Sequence, residues 1–163
     1  MTFSESEIVK QFTSRLFKRC YPVFGPNPNK TIDIVIEEIG VLKQIAVTWW
    51  FYCSDSQEGF HVWTRTTFNA RNLGSPYWQD GILHNRVIVL ATGIGESKRL
   101  GKTKHRYYMQ SDDVFVLGAV YCKFSFCIYS CVIITKNVHP KMAPYHDKDF
   151  PCFLPINDNF LTH

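Results

Sequence analysis

Hydrophobic and polar residues alternate along much of this chain in the way that is typical of β-strands. The segment TIDIVIEEIG places Ile32, Ile34 and Ile36 on one face and acidic residues on the other, which is the two-residue period of a strand with one buried face. Gly40 marks a turn, and the segment VLKQIAVTWW after it has the composition of a partner strand. The pattern therefore predicts a pair of neighbouring strands in residues 31–50.

Further apolar runs of strand length follow in the second half of the chain. These four candidate strands are Arg86–Ala91, His105–Gln110, Val114–Tyr121 and Cys127–Thr135. A Ser-Asp-Asp turn is expected at residues 111–113, between the second and third of them. Several short strands at hairpin spacing with few helices predict one α+β, mainly β domain over residues 1–163, built on a multi-stranded antiparallel sheet or barrel.

The N-terminal segment carries the clearest helical signal. Ser4 and Glu7 have the spacing of a capping box, in which each side chain bonds the backbone N–H at the other position. The apolar residues that follow recur at helical spacing, and they are Ile8, Val9, Phe12, Leu16 and Phe17. These signals predict a helix over about Glu5–Arg19.

One apolar stretch, Val114–Ile134, is long enough to cross a membrane. It is rich in β-branched and aromatic residues, and Lys123 lies near its middle, so two buried strands joined at Lys123 explain it better. The first residues show neither the basic nor the apolar region of a secretion signal. We therefore expect a cytoplasmic protein without a membrane span, whose six cysteines are reduced thiols. No C-x-x-C pair occurs, so we expect no structural zinc.

The charges suggest a polyanionic partner. Lys and Arg number 18 against 14 Asp and Glu, a formal net charge of +4. The segment Lys98–Arg106 holds five basic residues and no acid, and Tyr107 and Tyr108 follow it directly. Such a run is compatible with a solvated hairpin loop. It is also compatible with a loop that contacts phosphates, because positive charge beside aromatic faces is typical of single-strand binding.

Five short motifs occur in order along the chain, and they are FNAR, RVIVLATGIGES, KHRYYM, VIIT and APYHDKDFPCFLP. This order resembles the SRAP family, the SOS response-associated peptidases that handle abasic sites in single-stranded DNA. Its members carry N-A-R, an apolar strand leading into G-x-x-E-W, a hairpin entering an aromatic strand, I-x-T, and I-H-D-R-x-P-x-x-L. The resemblance is best over Trp49–Pro155, and it implies a short SRAP-like domain without the family's C-terminal segment.

The resemblance also implies roles for four residues. In the family, a cysteine follows the initiator Met, and its amine and thiol condense with the ring-opened aldehyde of an abasic site. The Asn of N-A-R supports that centre, the Arg binds phosphate, the turn Glu works in proton transfer and in Met removal, and the His is a general acid on the sugar. By match, these roles fall on Asn69, Arg71, Glu96 and His146. The condensation needs proton transfer near neutral pH, which His and a Glu of shifted pKa supply.

Several departures from the family motifs bear on this chemistry. The chain begins Met1-Thr2-Phe3, so Thr2 stands where the family has Cys. Its amine is suited to a Schiff base and β-elimination, but a hydroxyl closes a less stable ring than a thiol does. We therefore expect reversible or absent crosslinking to DNA. Ser97 and Lys148 replace a Trp and an Arg of the family motifs.

These inferences give two sets of candidate residues. The catalytic candidates are Thr2, Asn69, Glu96 and His146. The candidates for contact with DNA are Arg71, Arg86, Lys98, Arg99, Lys102, Lys104, Arg106 and Lys148. We expect no metal and no small-molecule cofactor.

The expected partner is single-stranded DNA, including DNA with abasic sites. The protein is expected to be a monomer in the cytoplasm. This expectation includes a nucleoid-associated or a phage-encoded protein. A pseudoenzyme that keeps the fold as an interaction module is the alternative that the missing Cys favours. A cysteine protease using Cys152 and His146 is a third interpretation, which rests on residue types alone.

Overall fold

The computed structural model describes residue 23 and residues 30–65, 67–125 and 128–155. The elements in this part of the chain are β1 (Thr31–Glu38), β2 (Val41–Thr48), β3 (Cys53–Ser56), β4 (Gly59–Val62), β5 (Asn69–Ala70), α1 (Pro76–His84), β6 (Arg86–Leu100), β7 (Thr103–Lys123), β8 (Tyr129–Asn137), a 3₁₀ helix (Pro140–Met142), β9 (Asp149–Pro151) and β10 (Phe153–Leu154). The predicted N-terminal helix lies outside the described residues.

Five of these strands close into a barrel of mixed orientation. The order is β7-β6-β1-β2-β8, and β8 pairs back with β7. Neighbouring strands are antiparallel, except that β2 and β8 pair in parallel at Thr48 and Ser130. Strand β5 extends the sheet by pairing in parallel with β8. The prediction of a mainly β fold is confirmed. The expectation of an antiparallel sheet is wrong in part, because β8 also pairs in parallel with β2 and with β5.

The inside of the barrel is the main hydrophobic core. All five barrel strands contribute to one cluster of buried side chains: Ile34, Ile36, Val47, Val87, Val89, Leu117, Ala119, Cys131 and Ile133. Val35 points to the other side of β1, where it packs with Ile88, Leu90 and Val116. Strand β1 is thus buried on both faces in its middle.

Helix α1 covers another part of the barrel. Ser75 caps it by accepting a hydrogen bond from the Tyr77 N–H, and Pro76 occupies its first turn, where a missing N–H costs nothing. The helix buries Trp78 against an outer cluster that includes Val120 and Val132. A Cβ atom at Gly81 would overlap Cγ1 of Val120. The missing side chain of this glycine therefore lets the helix approach β7.

The hairpin formed by β6 and β7 extends beyond the barrel. Pairing runs from Arg86 with Val120 to Leu100 with Thr103. Between the pairs Ala91–Phe115 and Gly93–Gln110, four residues of β7 oppose one of β6. The expected turn at residues 111–113 is therefore wrong: these polar residues form a bulge within a continuous strand, where the hairpin bends away from the barrel.

The described residues contain no helix that is long and apolar enough to span a membrane. Two buried strands, β7 and β8, occupy most of the apolar stretch from 114 to 134, and β7 ends at Lys123 as predicted. Cys53, Cys122, Cys131 and Cys152 are free thiols. Burial raises the pKa of Cys53 and of Cys122 to about 11, so these two stay protonated and unreactive at neutral pH.

The β1–β2 turn contains a strained residue, which leads to a stability prediction. Ile39 and Gly40 form a two-residue turn with φ values of 54° and 69°, and Ile39 is 99% exposed. A β-branched residue is unfavourable in this left-handed conformation, which Asn tolerates. We expect Ile39→Asn to stabilise the fold by about 1 kcal/mol, measured by urea denaturation. Ile39→Val, which keeps the strain, is the control, and equal stability of all three proteins would contradict the prediction.

Candidate active site at Glu96 and His146

Two residues from separate motifs, Glu96 and His146, are in contact. Glu96 lies on the part of β6 that extends beyond the barrel, directly opposite Tyr107 of β7. The Nδ1 atom of His146 lies 3.2 Å from Oε2 of Glu96 and 3.2 Å from the carbonyl oxygen of Ser97. The side chains of Glu96 and His146 are only 18% and 11% exposed. A largely buried acid–base pair is therefore assembled from segments 50 residues apart in sequence.

A short turn structure fixes the backbone at His146. The 3₁₀ helix is capped by His139, whose side chain accepts a hydrogen bond from the Lys141 N–H. The carbonyl oxygen of Met142 then accepts hydrogen bonds from the N–H groups of Tyr145 and His146 at 2.9 Å and 3.0 Å. These bonds hold the backbone at His146, and its ring contacts Glu96 and the Ser97 carbonyl of the hairpin.

The same turn is attached to one face of the hairpin, which we call the site face and define by Glu96, Lys98, His105 and Tyr107. Alternation along paired strands places these four side chains on one side. The Nζ atom of Lys98 donates a hydrogen bond to the carbonyl oxygen of Ala143. The rings of Tyr107 and Tyr145 meet edge to face, with centroids 5.3 Å apart. These contacts hold His146 against Glu96.

The surroundings of the pair tune its proton chemistry. Burial raises the pKa of the Glu96 carboxyl, and the positive charge that His146 can carry partly opposes this shift. The Ser97 carbonyl can only accept a hydrogen bond, so the hydrogen at the centre of this arrangement belongs on Nδ1 of His146. The second ring nitrogen, Nε2, is then the one that can exchange a proton with a substrate.

Arg71 is joined to the same segment through a second acid. Its Nε atom lies 2.8 Å from Oδ1 of Asp149, three residues beyond His146. Strand β8 brings these two residues together. It pairs with β5, which begins at Asn69 two residues before Arg71, and with β9 at Asp149. The Arg71 side chain is 65% exposed. With Nε engaged, its two terminal nitrogens remain for a ligand.

Asn69 is less directly placed. It is exposed on β5, two residues before Arg71. No hydrogen bond between described residues joins it to Glu96 or His146. Lys148 is exposed two residues after His146. Both residues lie in the segments that meet near the pair, and their roles stay predictions.

The basic residues predicted to bind DNA do not form one surface. Arg99, Lys104 and Arg106 alternate with the residues of the site face, so they lie on the opposite face of the hairpin. Lys102 lies in the turn that joins β6 to β7. Lys98 is on the site face, where it bonds Ala143. Strand alternation thus divides the run between two faces of the hairpin, and its contact with DNA stays a prediction.

Arg86 is remote from the pair. It begins β6, ten residues before Glu96, which is roughly 30 Å of extended strand. It is half-buried at the other end of the barrel, where neighbouring Asn85 accepts a hydrogen bond from the Tyr121 N–H. Arg86 and the basic loop therefore lie at opposite ends of the long β6–β7 hairpin, and contact of Arg86 with DNA stays a prediction.

Three groups that contribute to the site were not predicted from the sequence. The Ser97 carbonyl is a backbone group, and a motif does not show which way it points. Asp149 lies between Lys148 and Pro151, where this chain has two residues and the motif I-H-D-R-x-P has one, so the motif assigns it no role. Tyr145 precedes the motif His, and only the fold shows that its ring meets Tyr107.

Thr2 and Cys152 were the two candidate nucleophiles in the sequence. Thr2 lies outside the described residues, so its relation to Glu96 and His146 stays a prediction. The cysteine protease interpretation gains no support, because the thiol of Cys152 lies 3.9 Å from the carbonyl oxygen of Phe153 and no hydrogen bond between described residues joins it to His146. A thiol nucleophile needs a base within hydrogen-bond reach.

Comparison with known proteins identifies relatives of the chain. The family model described as "SOS response associated peptidase (SRAP)" matches residues 1–160. No curated protein gives a significant match.

Two solved structures share the fold. A Bacteroides thetaiotaomicron protein superimposes with a TM-score of 0.60 at 21% identity, over 77% of this chain and 59% of its own length. The chain thus spans less than two thirds of that relative. A phage-related protein from Bordetella bronchiseptica superimposes with a TM-score of 0.59 at 18% identity, over 95% of this chain and 76% of its own length.

Proposed function

Because the chain belongs to the SRAP family of SOS response associated peptidases, we propose that it binds single-stranded DNA and acts on abasic sites within it. The observation that carries this proposal is the contact between Glu96 and His146. These residues come from two motifs that are separated in sequence, and each has a proton-transfer role in the family. Their contact supports a working site at this position of the hairpin.

Arg71 is the residue best placed to hold the DNA backbone. Asp149 forms an ion pair at Nε, and the side chain of Arg71 is 65% exposed, so its terminal nitrogens stay accessible. Arginine binds phosphate through two parallel hydrogen bonds, which are stronger than neutral ones. Asp149 and His146 belong to one short segment, and we propose that the sugar next to a phosphate on Arg71 lies near Nε2 of His146.

The chemistry at an abasic site consists of proton transfers around an aldehyde. In its open form the sugar carries an aldehyde at C1′, and an amine adds there to give an imine with loss of water. A base then removes a proton from C2′, the bond from C3′ to its oxygen breaks, and the 3′ phosphate leaves. Nε2 of His146 can give a proton to the ring oxygen on opening or accept the one from C2′, and an ionised Glu96 stabilises the cationic ring.

A binding module without covalent chemistry is the second candidate. It follows from the prediction, made from the sequence, that Thr2 stands where the family motif has Cys. Borohydride reduction separates the two candidates, since it traps an imine between protein and abasic DNA and leaves a purely bound complex unlinked. A trapped adduct that disappears when the N-terminal amine is acetylated supports the catalytic proposal. The absence of any trapped adduct supports the binding module.

DNA binding itself is tested at Arg71. We expect Arg71→Ala to weaken binding of a single-stranded oligonucleotide by roughly tenfold, since one charge-assisted contact is worth about 1.5–3 kcal/mol. The log–log dependence of affinity on salt should become shallower by about 0.7. Fluorescence anisotropy titrations at several salt concentrations measure both effects.

The matched control is Lys43→Ala. Lys43 is also exposed, pairs with Glu38 and lies on β2, so its loss removes the same charge elsewhere. Equal effects of the two substitutions would contradict a specific phosphate contact at Arg71. No binding by the wild-type protein at low salt would remove the DNA-binding proposal as a whole.

A further inference from the structure

We infer that the hairpin carries a second nucleic-acid surface, on the face that points away from Glu96 and His146. We call it the back face and define it by Ser97, Arg99, Lys104, Arg106 and Tyr108. The inference rests on the proposed function and adds to it. The back face would bind the backbone of a stretch of nucleic acid that continues beyond the stretch held at Arg71 and His146.

The strand register separates the two faces. Ser97 pairs with Arg106, and Arg99 pairs with Lys104, so these four side chains lie on one side of the two-stranded hairpin. The site face carries Glu96 and the attached turn with His146 on the other side. A nucleic-acid strand that contacts Glu96 therefore reaches Arg99 and Lys104 only by passing around the edge of the hairpin or around its tip. Lys102 lies at the tip.

The charges of the back face are not balanced within it. Arg99 and Lys104 are directly opposite each other, an arrangement in which like charges destabilise a sheet. Arg106 lies about 7 Å further along β7, and the back-face positions on both strands hold no acid. By contrast, the cations at the other end of the barrel, Lys43 and Lys123, both pair with Glu38. Phosphate would relieve the repulsion on the back face.

An exposed aromatic ring on the same face favours nucleic acid over other polyanions. Tyr108 is 55% exposed and pairs with Gly95. A Cβ atom at Gly93 would overlap the Tyr108 ring and its hydroxyl, so the ring extends over the glycines of β6. Glycine at this position makes the close approach possible. A ring on the same face as three cations can stack a base while the cations hold the backbone.

The length dependence of binding tests this inference. Thymidine oligonucleotides of about 6 and about 20 nucleotides are compared, the shorter being within the size of one binding site. We expect the wild-type protein to bind the longer one more tightly per site and with a steeper salt slope. In Arg99→Ala/Lys104→Ala, affinity for the short oligonucleotide should be unchanged. Affinity for the long one should fall on the order of tenfold at about 0.1 M salt, with a slope shallower by about 1.4.

The control is Lys43→Ala/Lys123→Ala, which removes the same charge from the other end of the barrel and should leave both affinities unchanged. Because Arg99→Ala/Lys104→Ala removes a repulsion, its unfolding temperature should equal or exceed that of the wild type. Tyr108→Ala is a third variant, which should weaken binding of the long oligonucleotide without changing the salt slope.

Several outcomes would overturn the inference. They are no increase of affinity with oligonucleotide length, an increase that persists in Arg99→Ala/Lys104→Ala, and an equal loss of affinity for both lengths in that variant. Competition by polyglutamate as effective as that by DNA would instead identify an acidic protein as the ligand of this face. If the wild type binds neither oligonucleotide, the proposed function itself fails, and the back face fails with it.

Discussion

His146→Asn is expected to slow strand cleavage at abasic sites by roughly 10²–10⁴-fold, the usual contribution of a positioned acid or base. The side-chain amide of Asn has two hydrogens, which can be donated to Glu96 and to the Ser97 carbonyl, the two groups that lie 3.2 Å from Nδ1 of His146. It has no counterpart to Nε2, however. The substitution therefore keeps the local hydrogen bonds and removes only the atom proposed to exchange protons.

Glu96→Gln should show the electrostatic part of the same arrangement. Burial holds the pKa of Glu96 above its ordinary value of 4.5, so the carboxylate forms only as the pH rises through this higher value. If the ionised carboxylate supports the His146 cation, wild-type cleavage increases over this pH range. The Gln variant should be slower at neutral pH and should lack this acid limb of the pH–rate profile.

The stability of Glu96→Gln should change in the opposite direction to its activity. A raised pKa means that the folded protein holds the Glu96 proton more tightly than the unfolded chain does. The resulting stabilisation is complete below the unfolded pKa and is lost as the pH rises through the folded pKa. Glu96→Gln does not titrate, so it should gain unfolding temperature relative to the wild type at neutral and alkaline pH and lose that gain in acid.

Gel assays of abasic-strand cleavage, DNA titrations and thermal unfolding across pH measure these effects. His146→Asn should keep its affinity for undamaged DNA within about twofold of the wild type, since no phosphate contact is removed. A His146→Asn protein that cleaves as fast as the wild type would exclude proton transfer by Nε2. A Glu96→Gln protein with an unchanged pH profile would exclude Glu96 from the acid limb.

The second large effect is structural. Gly81→Ala should destabilise the protein by about 1–3 kcal/mol, the cost of overpacking, although Ala normally stabilises a helix by up to about 1 kcal/mol relative to Gly. The added methyl group would overlap Val120, which is fully buried in β7. Either α1 moves away from the barrel or the β7 side chain leaves its rotamer.

Two companion variants test this explanation by urea denaturation. Leu83→Ala, at a 62% exposed position of the same helix, should change stability by less than about 0.5 kcal/mol. In Gly81→Ala/Val120→Ala the space vacated by Val120 accepts the new methyl group, so the double variant should lose less than the sum of the two single losses. Strict additivity would show that the overlap is not the cause.

Strand β7 contributes to the packing of α1 and to the chemistry of the hairpin through separate parts of its length. Strand β7 packs against α1 through Val120 and ends the barrel at Lys123, whereas its first half forms the site face and the back face. The bulge opposite Ala91 and Gly93 separates these halves. Gly81→Ala should therefore lower stability without changing the pH profile of any cleavage, which distinguishes it from substitutions at Glu96.

Local patterns in the sequence determined the strands and the family. The alternation around Ile34 and the apolar runs that became β6, β7 and β8 depend on the two-residue period of a strand, which a short window of sequence contains. The ordered motifs likewise singled out Glu96 and His146, whose side chains are in contact, because each motif preserves residue types at fixed spacing. The strand boundaries were less accurate, since a polar run such as 111–113 has the same composition in a turn and in a bulge.

The tertiary structure alone decided which side chains face one another. Whether Arg99 shares a side with Glu96 depends on strand alternation within the hairpin, where a shift of one residue moves every side chain to the opposite face. The pairing of Arg71 with Asp149 requires β5 and β9 to meet on β8, and nothing in either local sequence specifies that meeting. Sequence therefore supplied the chemical groups, and long-range pairing assigned them to an acid–base site on one face of the hairpin and a basic surface on the other.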